Sequence, residues 1–368
     1  MNTFSQKKEG LEIDLFPVER GDHSGDCIAL RYGNLYDGCQ HQTVFVIDGG
    51  YADNKDILKQ HLKTFYKCFY DGKYHIDALF LSHPDQDHIQ GLVKILEDTE
   101  IEVGAIVAMI PWRVMTPAWY KDKRITPNSL EVRLESAFKE LTTLESLAEE
   151  RGLEIIMPTE MYQRCELEGC TITTLGPSLK FYKECVANCP KTPDPDDKVR
   201  RMSAYAICEN NDQEEKYVPG HIQWNYSETT SAINESSHIF LLEYDHHKIL
   251  FCGDAGKEAL LNAIKQANEI GVDLTNIDII KMPHHGSRKN VTPEIMDEFI
   301  GHHSHCYISC KKDDEGHHPS KRLVNMLNEK GFKVYFTQRS TLHKGFNAPN
   351  RDWNSVSPQK SYPTMEKA

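Results

Sequence analysis

The residues with most chemistry to offer lie in one short stretch, LFLSHPDQDHIQGL, where His83, Asp85, Asp87 and His88 fall within six positions. Neutral imidazoles and ionised carboxylates suit zinc, manganese or iron. A polar strand-to-helix loop would account for one aspartate as a helix cap and one nearby histidine. A cluster this dense, however, repels itself unless a cation sits among the side chains. Three further groups repeat the placement. Asp48 follows VFVI in IDGG, Asp254 follows ILFC in FCGDAG, and His284 and His285 follow IIKMP in PHHGS. Each time an apolar run ends in a ligand-type residue, and in two of the four cases a glycine leaves room for close backbone approach.

The apolar runs that must carry these groups read as strands. LEIDLFPVER alternates, CIALRYG and QTVFVIDGG follow, and IDALFLSH leads into the helix IQGLVKIL. Residues 53–68 read as helical and EVGAIVAMIP as another strand. In the second half, SSHIFLLEYDHHKILFCGD reads as a hairpin, KEALLNAIKQANEIG as a helix closed by glycine, and IDIIKMPHHGS as a strand. HCYISC, SKRLVNMLNEKG and FKVYFT complete a strand, a helix and a last strand. Strands come first and strand–helix alternation second, in both halves. That order implies two β-sheets packed between helices, with the polar groups on one rim. The reading is one domain over 1–345, a mixed helical and loop insertion at about 111–230, and a polar, frayed tail at 346–368. Within the insertion one helix is expected near 129–152, and 176–230 is rich in Lys, Asp, Asn and Pro.

The 368 residues are 39% hydrophobic and 26% charged, as in an ordinary globular chain. No stretch approaches a membrane span, and MNTFSQKKEGLEIDLF lacks the apolar core of a secretory signal, so a cytoplasmic location is expected. The net charge of −13 argues against an extended duplex nucleic-acid footprint, though bound divalent metals would reverse the potential inside a site. Eleven cysteines are scattered, and those in strand contexts (Cys27, Cys252, Cys306, Cys310) read as buried thiols. Cys165/Cys170 and Cys185/Cys189 have poor zinc spacings, and CELEGC reads as a hairpin with a Glu-Gly turn. The doublets His246/His247 and His302/His303 read as exposed turn residues.

These landmarks, in order, resemble the metallo-β-lactamase superfamily. More narrowly they resemble the soluble hydrolase domain of the DNA-uptake protein ComEC and its free-standing relatives. GDHSGDCIALRYG, VFVIDGG, LSHPDQDHIQGL, NESSHIFLLEY, ILFCGDAG, IIKMPHHGS and GHHPSKRLVNML carry the resemblance. It implies an α/β (α+β) fold, a four-layer αββα sandwich, with two divalent ions, zinc or manganese, at the sheet edges. His83 and Asp85 would bind the first ion and Asp87 and His88 the second. Asp254 would bridge them, and one of His284 and His285, with His284 favoured, would complete the second site while the other faces substrate. Asp48 would orient a ligand histidine. Asp85 stands where the superfamily usually has histidine. No histidine occupies the place of a further ligand in NESSHIF, where Asn234 and Ser237 fit the ComEC-like pattern and His238 lies one residue into the strand.

The chemistry so implied is attack of a metal-activated hydroxide on phosphorus or carbon, with Asp87 and His285 among the catalytic groups. His318, in GHHPS, would protonate a leaving group or bind a phosphate oxygen. Ser287 and Arg288 would cradle phosphate by hydroxyl, guanidinium and helix N-terminal amides. The expected substrate is single-stranded nucleic acid or a small phosphodiester. A thioester, lactone or phosphocholine ester is the alternative within the same ligand set. A partner-gated effector of a multi-protein system, such as one for defence, engaged through the 111–230 stretch, is the alternative outside it.

Overall fold

The computed structural model describes residues 9–21, 23–158, 164–199, 213–299, 304–311 and 318–367. Eight strands form the first sheet. Its main path starts from β1 (Glu9–Leu15), β2 (Cys27–Asn34), β3 (Gln42–Gly49) and β4 (Lys73–Phe80). It continues through β5 (Ile101–Val107) to the edge strand β6 (Glu154–Ile156). Seven strands form the second sheet. These are β7 (Arg164–Leu167), β8 (Cys170–Gly176), β9 (Ile239–Tyr244), β10 (His247–Phe251), β11 (Ile279–Lys281), β12 (His305–Ile308) and β13 (Lys333–Phe336). The chain then returns to the first sheet as β14 (Leu342–Phe346), antiparallel to β1. Each sheet opens with antiparallel pairs and closes with parallel ones, β3–β4–β5–β6 in the first and β10–β11–β12–β13 in the second.

Period-two alternation explains the layers. In β3, Phe45 and Ile47 enter the core between the sheets, while Val44 and Val46 face the helices. Covering both faces accounts for the near-continuous apolar runs. Phe80 and Phe240 stack across the sheets at 5.2 Å. Outside the first sheet lie α1 (Asn54–His61), α2 (Gln86–Glu97), α3 (Pro127–Ala137) and α4 (Lys139–Glu150). Further along, α5 (Leu179–Ala187) follows the first strands of the second sheet. Outside the second sheet lie α6 (Lys257–Ile270) and α7 (Lys321–Glu329). The fold is a four-layer αββα sandwich of mixed α/β class. No helix among the described residues is long and apolar enough to cross a membrane.

Several expectations change. The stretch 111–230 is not set apart from the fold. Its β6 extends the first sheet, β7 and β8 open the second, and α4 packs on α2. The helix expected at 129–152 is two helices, because Phe138 takes a non-helical conformation (φ −121°, ψ 55°) and Thr126 caps α3 through a reciprocal pair with Ser129. The tail is not frayed. Thr364–Glu366 pairs antiparallel with Glu214–Lys216, Met365 is buried, and Arg351 is bonded to Asp14. Glu366 accepts the Lys321 and Arg322 amides at the start of α7 (2.9 and 3.0 Å).

The Glu168–Gly169 turn closes the β7–β8 hairpin with both residues at positive φ, as CELEGC suggests. Cys27, Cys252 and Cys306 are buried and free and Cys310 is buried, while Cys39 and Cys68, which the sequence left unpaired, form a disulfide. His246 is an exposed turn residue, whereas His247 begins β10 and stacks on Phe346 at 3.8 Å. His302 and His303 lie outside the described residues.

Candidate metal centre

Two parallel strand pairs meet at the site. β3 and β4 deliver Asp48 and the His83 loop from one sheet, and β10 and β11 deliver Asp254, His284 and His285 from the other. A crevice beyond the carboxyl ends of parallel strands is where α/β folds place ligands. The helix α2 fixes Asp87 and His88 in its first turn. Its apolar residues Ile89, Leu92, Val93 and Leu96 recur at helical spacing and are all buried. Gly91 lets α2 lie directly on β3, since a Cβ there would sit 1.8 Å from the Gly49 carbonyl oxygen. Asp85 occupies the N-cap position, yet its carboxylate makes no capping bond. The ordinary use of an aspartate at this place is therefore not the one made of it. Its oxygens instead face His83 Nε2 (3.7 Å) and Lys191 Nζ (3.6 Å).

Three overlapping groups of ligand atoms share His88: His83–His88–Asp254 and Asp87–His88–His285 at the front and Asp26–Asp48–His88 behind, each with its atoms within 4.8 Å of one another. The imidazoles are all held from behind. His88 Nδ1 lies 2.9 Å from Asp48, His285 Nδ1 donates to the Ser309 carbonyl at 3.1 Å, and His83 Nδ1 is 3.1 Å from Ser82 Oγ. Asp48 is itself fixed by the Ser82 amide and hydroxyl (2.8 and 2.7 Å). The forward atoms, Nε2 of His83, His88 and His285 and Oδ1 of Asp254, are buried and have no hydrogen-bond partner. Orphaned buried polar atoms are rare and costly. Their gathering in two adjoining groups that share His88 fits metal binding, and rear-bonded histidines are the usual arrangement of metal ligands.

The backbone is bent to make this geometry. Asp48, His284 and His285 have φ of 52°, 47° and 53°. Left-handed conformations cost non-glycine residues about 1 kcal/mol each and gather at functional sites.

Electrostatics point the same way. Burial would raise Asp254, but His88, His284 and His285 outweigh it and hold the carboxyl well below its usual range. Burial likewise opposes ionisation of Asp87, Asp85 and Asp48, and their histidine neighbours bring all three below the ordinary value. His88 and His285 are pushed up by the surrounding aspartates despite burial. The pocket holds more negative charge than its side chains neutralise.

Of the adjacent histidines, His285 joins the ligand group, its Nε2 3.4 Å from Asp87 Oδ2. His284, favoured from the sequence, has Nε2 3.8 Å from Asp254 and Nδ1 held by Asn290 (3.0 Å), and it is partly exposed at the mouth. The His318 ring lies tilted beside it at 5.3 Å. Burial and the neighbouring histidines lower His318 to about 3, which favours its neutral imidazole.

Arg288 does not line the site as expected. It grips Glu228 through two bonds (3.0 and 2.9 Å) and the Lys367 carbonyl. Ser287 is buried, and the PHHGS segment leads into a short 3-10 turn, so no helix N-terminus is there to bind phosphate. His238 is buried against Thr174 (3.1 Å) and belongs to none of the ligand groups.

Sequence reasoning missed Asp26 and Lys281. They form a buried ion pair behind the site, with Asp26 3.8 Å from His285 and 3.9 Å from His88. The one signal was Lys281, a charged residue in the otherwise apolar strand context IIKMP, since Asp26 in GDHSGD looks like part of a turn.

No known protein family matches the chain by sequence, and no curated protein matches it. Among solved structures it is similar to the metallo-β-lactamase fold protein YhfI from Bacillus subtilis, at 9% identity, covering 92% of this chain and 100% of that one with a TM-score of 0.45. It is similar also to unliganded yeast PDE1 at 12% identity, covering 90% of this chain and 99% of that one (TM-score 0.45). Zn²⁺-bound PqqB from Methylobacterium extorquens is a third, at 11% identity, 90% and 99% coverage and a TM-score of 0.44.

Proposed function

We propose that the protein is a metal-dependent hydrolase of phosphodiesters, acting on a small diester or a short single strand of nucleic acid. The observation that carries the metal centre is the gathering of the four buried, unpartnered ligand atoms of His83, His88, His285 and Asp254. His83, Asp85 and Asp254 would hold one ion and Asp87, His88, His285 and Asp254 the other, with zinc and manganese both suited to the mixed nitrogen and oxygen set. Divalent ions there would acidify a water and neutralise charge developing on phosphoryl oxygens.

The chain's own groups do the rest. Asp87, held ionised beside His285, accepts the proton of the attacking water. Asp48 keeps His88 in the tautomer that presents Nε2 forward. His318, neutral at the mouth, hydrogen bonds a phosphoryl or leaving-group oxygen. The phosphodiester preference is supported by the ComEC-like order of the motifs, and the net charge of −13 favours a short substrate over a long one.

The test is hydrolysis of bis-p-nitrophenyl phosphate, a labelled single strand and p-nitrophenyl acetate with added Mn²⁺ or Zn²⁺, comparing the native chain with Asp87→Ala. Diester cleavage abolished by the substitution is expected. Cleavage of the acetate alone would move the assignment to another ester.

A further inference from the structure

We infer that Lys191 is the anion-recognition residue of this site, placed over it to bind an oxygen of a phosphorylated substrate. The inference rests on the hydrolase reading and names what that site selects.

Lys191 Nζ lies 3.6 Å from Asp85 Oδ1, while Oδ2 of the same carboxylate faces His83 Nε2 at 3.7 Å. One oxygen thus points toward the ligand group and the other toward the lysine. The lysine side chain is 58% exposed, so its ammonium reaches both the carboxylate and the opening. An Asp85 that donates to a cation holds a lysine less tightly, which leaves the ammonium free for a second anion beside it.

The backbone beneath Lys191 is fixed. Thr192 Oγ1 donates to the Val186 and Cys189 carbonyls (both 2.9 Å), closing the turn after α5. The segment beyond is tied to 119–121 by two amide bonds, Lys121 to the Asp194 carbonyl and Asp196 to the Trp119 carbonyl, each 2.9 Å. Two of the three acids that follow Lys191 are engaged elsewhere, Asp196 with Lys123 (2.6 Å) and Asp197 with Lys121 (3.8 Å). They do not draw the Lys191 ammonium off the site. Arg288, the cation the sequence singled out for this task, is committed to Glu228.

The experiment titrates inorganic phosphate into metal-loaded protein by calorimetry, for the native chain, Lys191→Met and Lys191→Arg, with metal content measured on each. Lys191→Met should weaken phosphate binding about tenfold, the loss of one charge-assisted hydrogen bond. Lys191→Arg should restore most of that, and metal content should not fall in either variant. In diester hydrolysis the Lys191→Met change should fall on KM more than on kcat. Equal phosphate affinity in native and Lys191→Met protein, or no phosphate binding by the metal-loaded native chain, would overturn the inference. Native protein that cleaves diesters while Lys191→Met changes nothing sinks Lys191 alone. Phosphate binding that depends on Lys191 without hydrolysis of any ester sinks the hydrolase reading alone.

Discussion

Two buried, charge-rich clusters lie at the first sheet and differ in one respect. On β1, Glu12 and Asp14 face the helix side, fully buried. Arg31 pairs with Glu12, Arg351 bonds both acids, and His61, His343 and the Tyr66 hydroxyl bond Asp14 at 3.0, 3.0 and 2.8 Å. Two carboxylates meet two guanidiniums, and only Glu12 Oε1 and Arg351 Nε are left short of a bond. At the site, Asp26 holds the buried Lys281, Asp48, Asp87 and Asp254 face the imidazoles of His88 and His285, and Asp85 meets the half-exposed Lys191. The first cluster is balanced by the chain. The second leans on histidines that can carry a proton or give it up to ligate a metal, and that choice marks it as a place of function rather than of stability.

The largest effect that would break this contrast is at Asp254. Replacing it by Asn should abolish metal binding and lower hydrolysis at least a thousandfold, on the scale of losing an essential electrostatic group. Calorimetric unfolding of the metal-free variant should show a loss confined to the pairing of Asp254 with His88 and His285, shrinking as pH rises and those imidazoles give up their protons. A loss that persists at alkaline pH would mean that the site's charges are structural after all.

The mirror experiment is Arg351→Met. It strands Glu12 and Asp14 without one of their cations and should cost about 3–5 kcal/mol in denaturant unfolding. Its metal content should stay at the native level.

The response to pH should separate the clusters further. Asp14 is opposed by burial but carried well below its usual range by His343 and His61. Its folded value lies below its unfolded value, so its contribution is present above about pH 4 and is lost as pH falls toward the folded value. Metal should not alter that limb. His88 and His285 have raised folded values, so their contribution in metal-free protein is full below about pH 6.5 and is lost as pH rises through those values. A metal ion needs them neutral, so binding should release protons and tighten as pH rises. Metal-loaded protein should lack the alkaline limb that thermal unfolding shows without metal.

The smallest effect concerns Glu235, whose buried carboxylate accepts the Ala259 amide (2.8 Å) at the start of α6. Burial raises it to about 7. An acid with a raised folded value costs stability as pH climbs from its unfolded value through the folded one. Glu235→Gln should raise stability at pH 8 by on the order of 1 kcal/mol, read in denaturant melts, with metal content unchanged.

Most of the site was legible because its residues are local. His83, Asp85, Asp87 and His88 occupy one strand-to-helix joint, and Asp48 and Asp254 end apolar runs, so periodicity alone placed them on a rim. The rest depends on distance along the chain. Asp26 looks like part of a turn and Lys281 like a stray charge, and the pairing that explains both spans 255 positions. His284 and His285 are indistinguishable in PHHGS, because what separates them is the partner of each Nδ1, Asn290 for the one and the Ser309 carbonyl for the other. Arg351 sits in a polar tail whose burial partners are two acids near the other end of the chain, and no local pattern announces that.

The central claim is that the cluster around His88 holds metal. Elemental analysis of the purified protein, after dialysis against Zn²⁺ or Mn²⁺ and removal of free ion, tests it most directly. About two ions per chain, falling in Asp254→Asn and unchanged in Arg351→Met, is the predicted result. A native chain that retains neither ion under any loading condition would contradict the account.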